Sequence, residues 1–278
     1  MSLFPHVLRG ARWRGFKLGE NPILEDSLWV ALADPLPNVM MGITAENLAQ
    51  KYNISRNEQD EFALRSHKNA KKATDEGKLK EEIVPVTISG KGEGESLFRT
   101  DEHIRADASI EKLEKLKPAF KKDGTVTAGN SCGINDGATA LIVTTMGKAV
   151  SLNKKPLGKI ISWGYGGVDP NIMGIGPAPA IRSAIKKADL KITDIGLYEI
   201  NEAFAAQCLA VIKEIELDIN IVNVNGGAIA IGHPVGASGG RLVLTLLHEL
   251  KRRNIRYGIA SLCIGGGQGI AIVLENLS

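Results

Sequence analysis

Short apolar runs alternate with segments of helical pattern through the second half of the chain. The helical segments cover residues 178–187, 203–214 and 237–252. The runs are rich in Ile and Val, and they read TALIVTT, GKIISWGY, LYEI, NIVNV, YGIASLC and IAIVLE. Strands that alternate with helices are typical of a mainly parallel sheet covered on both faces. The pattern therefore predicts an α/β fold.

The part of the chain before residue 120 carries more charge and more helical signals. Ser55 and Glu58 have the spacing of a capping box, and Gly77 is a stop signal for the helix that follows. The many charges of that helix predict a largely solvent-exposed surface. Residues 83–88 predict a short edge strand, because a proline within them cannot donate to a sheet. Ser109 is the expected cap of a second, shorter helix.

The composition is typical of a soluble globular protein. Of the 278 residues, 44% are hydrophobic and 23% are charged, and the net charge of +3 favours no class of ligand. No apolar run reaches the ~18 residues of a membrane-spanning helix. The N-terminus lacks the apolar core of a secretory signal. The three cysteines, Cys132, Cys208 and Cys263, cannot all pair and fit a reducing compartment. We therefore expect a cytoplasmic protein that binds neither membrane nor nucleic acid.

Polar and glycine-rich segments follow several of the predicted strands. They read GYGGVDP, NEAF, NGGAIAIGHPVGASGG and CIGGGQG. In α/β sheets, ligands bind beyond the carboxyl ends of the strands. The four segments are therefore expected to converge on one site.

Three kinds of site are excluded by the residues around His233. A P-loop needs Lys and Ser or Thr where His233 and Pro234 stand. A dinucleotide fingerprint is also missing, since no G-x-G-x-x-G lies between a predicted strand and a helix. A metal site would need a second ligand near His233, and His248 lies in a predicted helix. Acid–base or covalent chemistry remains.

Each candidate residue also has a structural interpretation. A single histidine in a turn, such as His233, is often structural or merely exposed. Cys263 ends an apolar run, where a cysteine is commonly an inert core thiol. It is also followed by glycines whose free amides could stabilise an anion. Asn201 and Glu202 could cap the next helix.

Three segments, in this order and spacing, resemble the C-terminal signatures of the thiolases: NEAFAAQ, GGAIAIGHPVGASGGR and CIGGGQG. The resemblance extends upstream to GARW, GITAEN, RNEQDEFALRSH, EEIVPV, LKPAF, GTVTAGNSCGINDGA and GVDPNIMGIGP, and so covers essentially the whole chain. NEAF distinguishes the sequence from the sterol-carrier-type thiolases, and NGGAIAIGHPVGASG resembles the short-chain biosynthetic branch, the acetyl-CoA C-acetyltransferases. The long-chain degradative enzymes tend to carry different residues there.

The resemblance implies a thiolase fold with αβαβα layers. Residues 1–3 would be a remnant of the N-terminal half, and residues 4–135 a loop domain that binds coenzyme A. Residues 136–148 would form the last strand region of the N-terminal half, which is otherwise incomplete. Residues 149–278 would form a complete C-terminal half.

The resemblance also implies a reaction, the reversible Claisen condensation of acetyl-CoA to acetoacetyl-CoA. His233 would activate the nucleophile and help to hold the thioester oxygen, together with a water held by Asn201. Cys263 would exchange a proton with the α-carbon of the second substrate. The amide of Gly265 would contribute to a second oxyanion hole. Coenzyme A thioesters are substrates here, so neither a cofactor nor a metal is expected.

The family assigns further residues to coenzyme A binding. Arg105 would lie near the nucleotide end, and Ser131 and Cys132 near the pantetheine arm. Met173 would line the acyl pocket. A complete thiolase of this kind would be a homo-oligomer, a dimer or a tetramer.

One part of the family pattern has no counterpart in this sequence, the N-terminal segment that carries the nucleophilic cysteine. Cys132 stands where the family usually has a serine, and neither Cys208 nor Cys263 is at the nucleophile's place. We therefore expect the chain to be inactive alone, with the missing segment supplied by another polypeptide or lost. The alternative is a catalytically inactive CoA-binding fragment, or a subunit of a split thiolase.

Overall fold

Two main helices and three short strand pairs contain most of the regular secondary structure in the N-terminal half. The computed structural model describes residues 1–90 and 94–277. The pairs β1–β2, β3–β4 and β5–β6 are all antiparallel. In chain order the elements are β1 (His6–Leu8), β2 (Leu24–Asp26), α1 (Ser27–Ala31), β3 (Ala33–Asp34), β4 (Val39–Met40), α2 (Met41–Lys51), α3 (Arg56–Asp75), β5 (Val86–Gly90), β6 (Gly94–Phe98), α4 (Ile110–Glu114) and α5 (Met146–Ser151).

The C-terminal half is built on a single sheet with helices on both faces. Its elements are β7 (Gly158–Gly167), α6 (Pro177–Lys187), β8 (Leu197–Ile200), α7 (Ala205–Glu214), α8 (Ala228–Ile231), α9 (Val235–Arg253), β9 (Tyr257–Ile264) and β10 (Gln268–Asn276). Short 3-10 helices occur at Leu79–Glu81, Pro170–Ile175, Ile192–Asp194 and Ile219–Ile221.

The strand order of this sheet is β7-β10-β9-β8. β8 and β9 are parallel, whereas β10 is antiparallel to both of its neighbours. The prediction of a mainly parallel sheet is therefore wrong. The cause is the three-residue glycine connection between β9 and β10, because a link this short can join only antiparallel strands.

Helices cover both faces of the sheet, which confirms the predicted α/β class. On one face, α6 and α7 share a buried apolar cluster with α2 and α3. On the other face, α9 packs its leucines against β8, β9 and β10. Side chains of β10 alternate between the two clusters, so Val273 is buried in the first and Leu274 in the second.

Two predicted strands are absent from the described residues. Residues 139–145 are irregular, and the side chains of Ile142 and Val143 are 98% and 73% exposed, because no described strand lies beside them. Residues 220–224 form no strand either. Instead, the side chain of Asn223 pairs with the backbone of Ile200. Its Oδ1 accepts from the Ile200 N–H and its Nδ2 donates to the Ile200 carbonyl, both at 2.8 Å.

The helix signals of the N-terminal half are confirmed. Ser55 Oγ accepts from the Glu58 N–H at 3.2 Å, and the Glu58 carboxylate accepts from the Ser55 N–H at 2.7 Å. Gly77 follows the helix with a φ of 74°, and the Ser109 hydroxyl caps α4. The expected solvent exposure of α3 is wrong, because α3 packs against α7 and α8 and buries one face, including Phe62 and Ala70.

Gly226 and Gly77 provide a test of this helix packing. Both have positive φ, 81° and 74°, but a Cβ on Gly226 would lie 2.6 Å from the Ala70 Cβ, whereas one on Gly77 would meet nothing within 4 Å. Gly77→Ala should cost about 1 kcal/mol of unfolding free energy through backbone strain alone. Gly226→Ala should cost clearly more, because the α3 backbone must also move. Urea unfolding of both variants measures the difference, and equal losses would contradict the packing.

Candidate functional site

His233 lies in the short connection between α8 and α9. Its N–H donates to the side-chain oxygen of Asn135 at 3.2 Å. The preceding Gly232 has a φ of 108°, and a Cβ there would lie 2.5 Å from the side chain of Asn135. A glycine is therefore required at this turn, and Asn135 fixes the position of the histidine backbone.

Both nitrogens of the His233 ring have polar neighbours. Nδ1 lies 2.6 Å from the Ser238 hydroxyl, and Nε2 lies 3.2 Å from the amide Nδ2 of Asn201. Burial, with a smaller effect of the nearby Arg241 charge, lowers the pKa of His233 to about 4. The ring is therefore neutral near pH 7 and can accept a proton.

Asn201 follows β8 directly and reaches the site because β8 runs parallel to β9. Its N–H continues that pairing by donating to the Ser261 carbonyl at 2.9 Å. The residue is 1% exposed, and its Oδ1 has no hydrogen-bond partner in the described part of the chain. A buried oxygen without a partner is costly, so this atom is suited to accept from a water or a substrate group.

Cys263 is the penultimate residue of β9, two positions beyond the residue that pairs with Asn201. Its side chain packs, with Phe120 and Met41, against a buried cluster. The members of that cluster are Ala45, Val126, Met173, Ala203 and Phe204. Burial raises the pKa of the Cys263 thiol to about 12, so it carries its proton near pH 7.

The other two cysteines are also neutral thiols. Burial raises the pKa of Cys132 to about 12, and a charge on Cys263 would raise it further. Burial in α7 raises the pKa of Cys208 well above its usual value. Reactive cysteines have lowered pKa values, so none of these thiols is poised as a nucleophile.

The glycine turn after Cys263 is held by a residue that the sequence analysis did not identify, Asp34. The buried Asp34 carboxylate accepts from the Gly266 N–H at 2.5 Å and from the Leu36 N–H at 3.0 Å. Gly265 is covered by Met41, whose Cε would lie 2.7 Å from an added Cβ. The Gly266 amide is thus occupied, while the Gly265 N–H has no hydrogen-bond acceptor in the described residues.

Glu202 anchors the glycine-rich loop that leads to His233. Its fully buried carboxylate accepts from the Ser66 hydroxyl at 2.6 Å, the Asn223 side chain at 2.8 Å and the Ile229 N–H at 3.2 Å. The capping interpretation of Asn201 and Glu202 is wrong, because α7 begins after Phe204 without a side-chain cap. Burial raises the pKa of Glu202, and the three donors oppose that rise.

Arg105 lines two adjoining grooves of roughly 350 and 360 Å³. Its N–H donates to His67 Nδ1 at 3.1 Å, while its side chain is exposed and makes no ion pair with the described residues. One groove continues along α3 past Lys68 and past Lys71 and Lys72, which pair with Asp75 and Glu76. The other is lined by His67, His103, Arg105, Asp107, Ala108, Lys112, Leu113, Leu116, Ala128, Gly129 and Ile229.

The remaining candidate residues are Ser131, Cys132 and Met173. The Ser131 hydroxyl donates to the Thr127 carbonyl at 2.7 Å, so it is already used within the chain. The Cys132 N–H donates to the Ala203 carbonyl at 3.0 Å, which places residues 131–132 beside the NEAF segment. Met173 is 4% exposed in the cluster against which Cys263 packs.

The thiolase N-terminal domain model matches residues 1–147, and the thiolase C-terminal domain model matches residues 154–276. The chain belongs to the thiolase family. Mitochondrial 3-ketoacyl-CoA thiolase of Homo sapiens is 49% identical over 276 residues, which are 99% of this chain and 69% of that protein. Acetyl-CoA acetyltransferase of Cupriavidus necator is 50% identical over 275 residues, 99% of this chain and 70% of the relative.

A solved structure confirms the thiolase fold. The crystal structure of acetyl-CoA acetyltransferase from Bacillus anthracis superposes with a TM-score of 0.93 at 50% identity, over 98% of this chain and 68% of that one. A human mitochondrial 3-ketoacyl-CoA thiolase has also been crystallised in complex with CoA, and it is similar at a TM-score of 0.91 and 46% identity over 100% of this chain and 68% of that one. This thiolase chain therefore spans about 70% of the length of its relatives.

The described residues contain neither a candidate membrane span nor a candidate metal cluster. None of their helices is both long enough and apolar enough to cross a membrane. They also contain no group of three or more His, Cys, Asp or Glu side chains placed to hold a metal ion.

The low pKa of His233 predicts how the stability of this thiolase chain depends on pH. In the unfolded chain the ring has a pKa of about 6.5 and binds a proton below that pH. In the folded chain the pKa is about 4, so the ring binds a proton only near pH 4 and below. The contribution of His233 to stability is therefore complete above pH 6.5 and decreases as the pH falls towards 4. The unfolding free energy of wild type minus that of His233→Asn should decrease between pH 7 and pH 5.

Taking this difference removes the opposing contributions of buried acids such as Glu199, whose pKa burial raises to about 8. Urea unfolding at several pH values gives both free energies. A difference that stays constant over this range would mean that the folded ring titrates normally.

Proposed function

We propose that this chain supplies the proton-transfer and CoA-binding parts of an acetyl-CoA C-acetyltransferase site. The reaction is the reversible condensation of two acetyl-CoA molecules to acetoacetyl-CoA and CoA. The observation that carries the proposal is the arrangement at the carboxyl ends of β8 and β9. There, a neutral His233 is bonded to Asn201, whose backbone pairs with the strand that carries the neutral thiol of Cys263.

The neutral thiol of Cys263 suits the cleavage direction. In cleavage, the nucleophile that the other polypeptide supplies attacks the β-carbonyl carbon of acetoacetyl-CoA and keeps the acetyl group as a thioester. The electrons of the bond between the α- and β-carbons form the enolate of acetyl-CoA, and the α-carbon takes the proton of the Cys263 thiol. Acetyl-CoA is released, the Cys263 thiolate regains a proton from incoming CoA, and the CoA sulfur takes the acetyl group and frees the nucleophile. A group with a pKa of about 12 is a strong base once ionised, which the reverse step, removal of a methyl proton, requires.

Two atoms without partners support the assignment of oxyanion contacts. The Oδ1 of Asn201 can hold a water whose proton points at a thioester oxygen, and the free N–H of Gly265 can donate to a developing oxyanion. In other acyl-transfer enzymes, each preorganised donor of this kind stabilises the transition state by about 3 kcal/mol.

The grooves around Arg105 have the charge that coenzyme A needs. Arg105 and Lys68 make no ion pair with the described residues, so their charges are available to phosphate groups. Ala128 and Gly129 line the second groove together with Arg105 and immediately precede residues 130–132 in the chain, and Ile229, which also lines it, precedes the His233 loop. This lining supports a nucleotide at Arg105 and a pantetheine arm that reaches Cys263 and Met173.

A second candidate function follows from the state of the cysteines. All three thiols are neutral by burial, so the 278 residues supply no activated nucleophile. The chain would then bind CoA without turnover, or act as one subunit of a split enzyme whose nucleophile another polypeptide provides. The following test separates these possibilities.

The 278-residue chain alone should form no acetyl thioester with acetyl-CoA, because removal of a covalent nucleophile costs several orders of magnitude in rate. Mass spectrometry of cysteine peptides after incubation measures this. Addition of the part of the Cupriavidus necator relative that this chain does not match should restore acylation of the added nucleophile.

Variants of the reconstituted enzyme test the separate roles. Cys263→Ala should keep acylation but abolish exchange of the acetyl methyl protons with deuterated water, whereas His233→Ala should slow acylation itself. An acetylated Cys132 peptide from the chain alone would contradict the proposal, and so would equal loss of acylation in both variants. Acylation without any exchange in the unmutated enzyme would leave only the CoA-binding function.

Arg105→Ala should weaken CoA binding, and the loss should shrink as salt rises, because phosphate contacts are screened. Arg256→Ala is the matched control. It removes an exposed arginine paired with Glu275 near the start of β9, at the end opposite to Cys263. Isothermal titration calorimetry at low and high salt measures the affinity of both variants for CoA. An unchanged affinity at low salt would remove Arg105 from the site.

A further inference from the structure

Ser238 contacts the ring nitrogen of His233 that faces away from Asn201. It lies in the first turn of α9 and is 1% exposed. Its Oγ lies 2.6 Å from His233 Nδ1 and donates to the Pro234 carbonyl at 3.0 Å. The proposed function uses Nε2 of His233 and assigns no part to Ser238.

The proton positions around the ring follow from what each partner can do. The Pro234 carbonyl can only accept, so the bond to it uses the single hydroxyl proton of Ser238. The serine oxygen is then an acceptor, and the proton of the 2.6 Å contact must come from Nδ1. On the other side, the amide Nδ2 of Asn201 can only donate, so Nε2 accepts at 3.2 Å.

The opposite tautomer breaks two of these contacts. A proton on Nε2 would point at the amide Nδ2 of Asn201, which is also a donor. The contact could be restored only by a rotation of the Asn201 amide group that exchanges its nitrogen and oxygen. At Nδ1, the Ser238 hydroxyl would have to turn its proton away from the Pro234 carbonyl. The tautomer with its proton on Nδ1 keeps all three hydrogen bonds, from Ser238 to Pro234, from Nδ1 to Ser238 and from Asn201 to Nε2.

We propose that Ser238 is a positioning residue that holds His233 in the Nδ1–H tautomer and so leaves Nε2, which faces Asn201, as the unprotonated nitrogen of the ring. The inference rests on the proposed function only for the use of the lone pair on Nε2. When a thiol gives its proton to Nε2, the sulfur becomes a thiolate and the ring a cation with an N–H on both nitrogens. Ser238 Oγ still accepts from Nδ1, so one of the two N–H groups of the cation keeps its partner.

Nuclear magnetic resonance of the chain itself provides the test. Long-range proton–nitrogen correlation distinguishes a protonated ring nitrogen from one with a lone pair. The His233 signals can be assigned from the backbone of Gly232. Near pH 7 the wild-type chain should show a protonated Nδ1 and an unprotonated Nε2. A proton mainly on Nε2 would overturn the proposal, and this measurement requires no variant to fold.

Variants of Ser238 test whether its hydroxyl determines the tautomer of His233. Ser238→Ala should move the ring towards a mixture of tautomers or to Nε2–H, and Ser238→Thr, which keeps the hydroxyl, should restore the wild-type pattern. Ser162→Ala is the control, since it removes a buried hydroxyl bonded at 2.6 Å to the Ala184 carbonyl and should leave His233 unchanged. A ring unaffected by Ser238→Ala would overturn the proposal.

These spectra do not depend on catalysis. A chain that neither binds CoA nor supports acyl transfer could still show the tautomer and its response to Ser238. Conversely, a proton found on Nε2 would overturn the role of Ser238 without changing the measured CoA affinity or proton exchange.

Discussion

The buried carboxylate of Glu202 joins the parts of the molecule that must meet to form the site. One of its donors belongs to α3, one is Asn223 beside β8, and one is the N–H of Ile229 in α8. A buried charge without donors is very costly, so the carboxylate can be accommodated only when all three segments are in place. The position of the His233 loop therefore depends on packing between the two halves of the chain.

Burial also determines the chemistry at rest. It lowers the pKa of the histidine to about 4 and raises that of the Cys263 thiol to about 12, so the site holds a neutral base and a neutral acid. Charges then arise only during reaction, where fixed hydrogen-bond donors have their greatest effect. Arg241, whose charge also lowers the pKa of the histidine, is bonded to buried Glu199 at 3.1 Å.

The sequence predicted the local features whose signals lie within a few residues. The capping box at Ser55, the cap at Ser109 and the strands that contain Cys263 and precede Asn201 are all confirmed. Strand direction was predicted wrongly, since it depends on how β9 connects to β10. Asp34 and Ser238 were missed because their roles arise from contacts: Asp34 meets a turn far along the chain, and Ser238 faces a ring one helical turn away. For the candidate site, the family motifs named residues that their neighbours alone could not distinguish from structural ones.

The side-chain pairing of Asn223 has a consequence for the outer edge of the sheet. β8 is the edge strand there, and an edge strand with free backbone groups can recruit a strand from another molecule. Here the amide of Asn223 occupies both the N–H and the carbonyl of Ile200, and residue 222 bridges to Tyr198. The same asparagine that helps to hold Glu202 thus closes this edge, and it protects the protein from strand exchange at the border of its site.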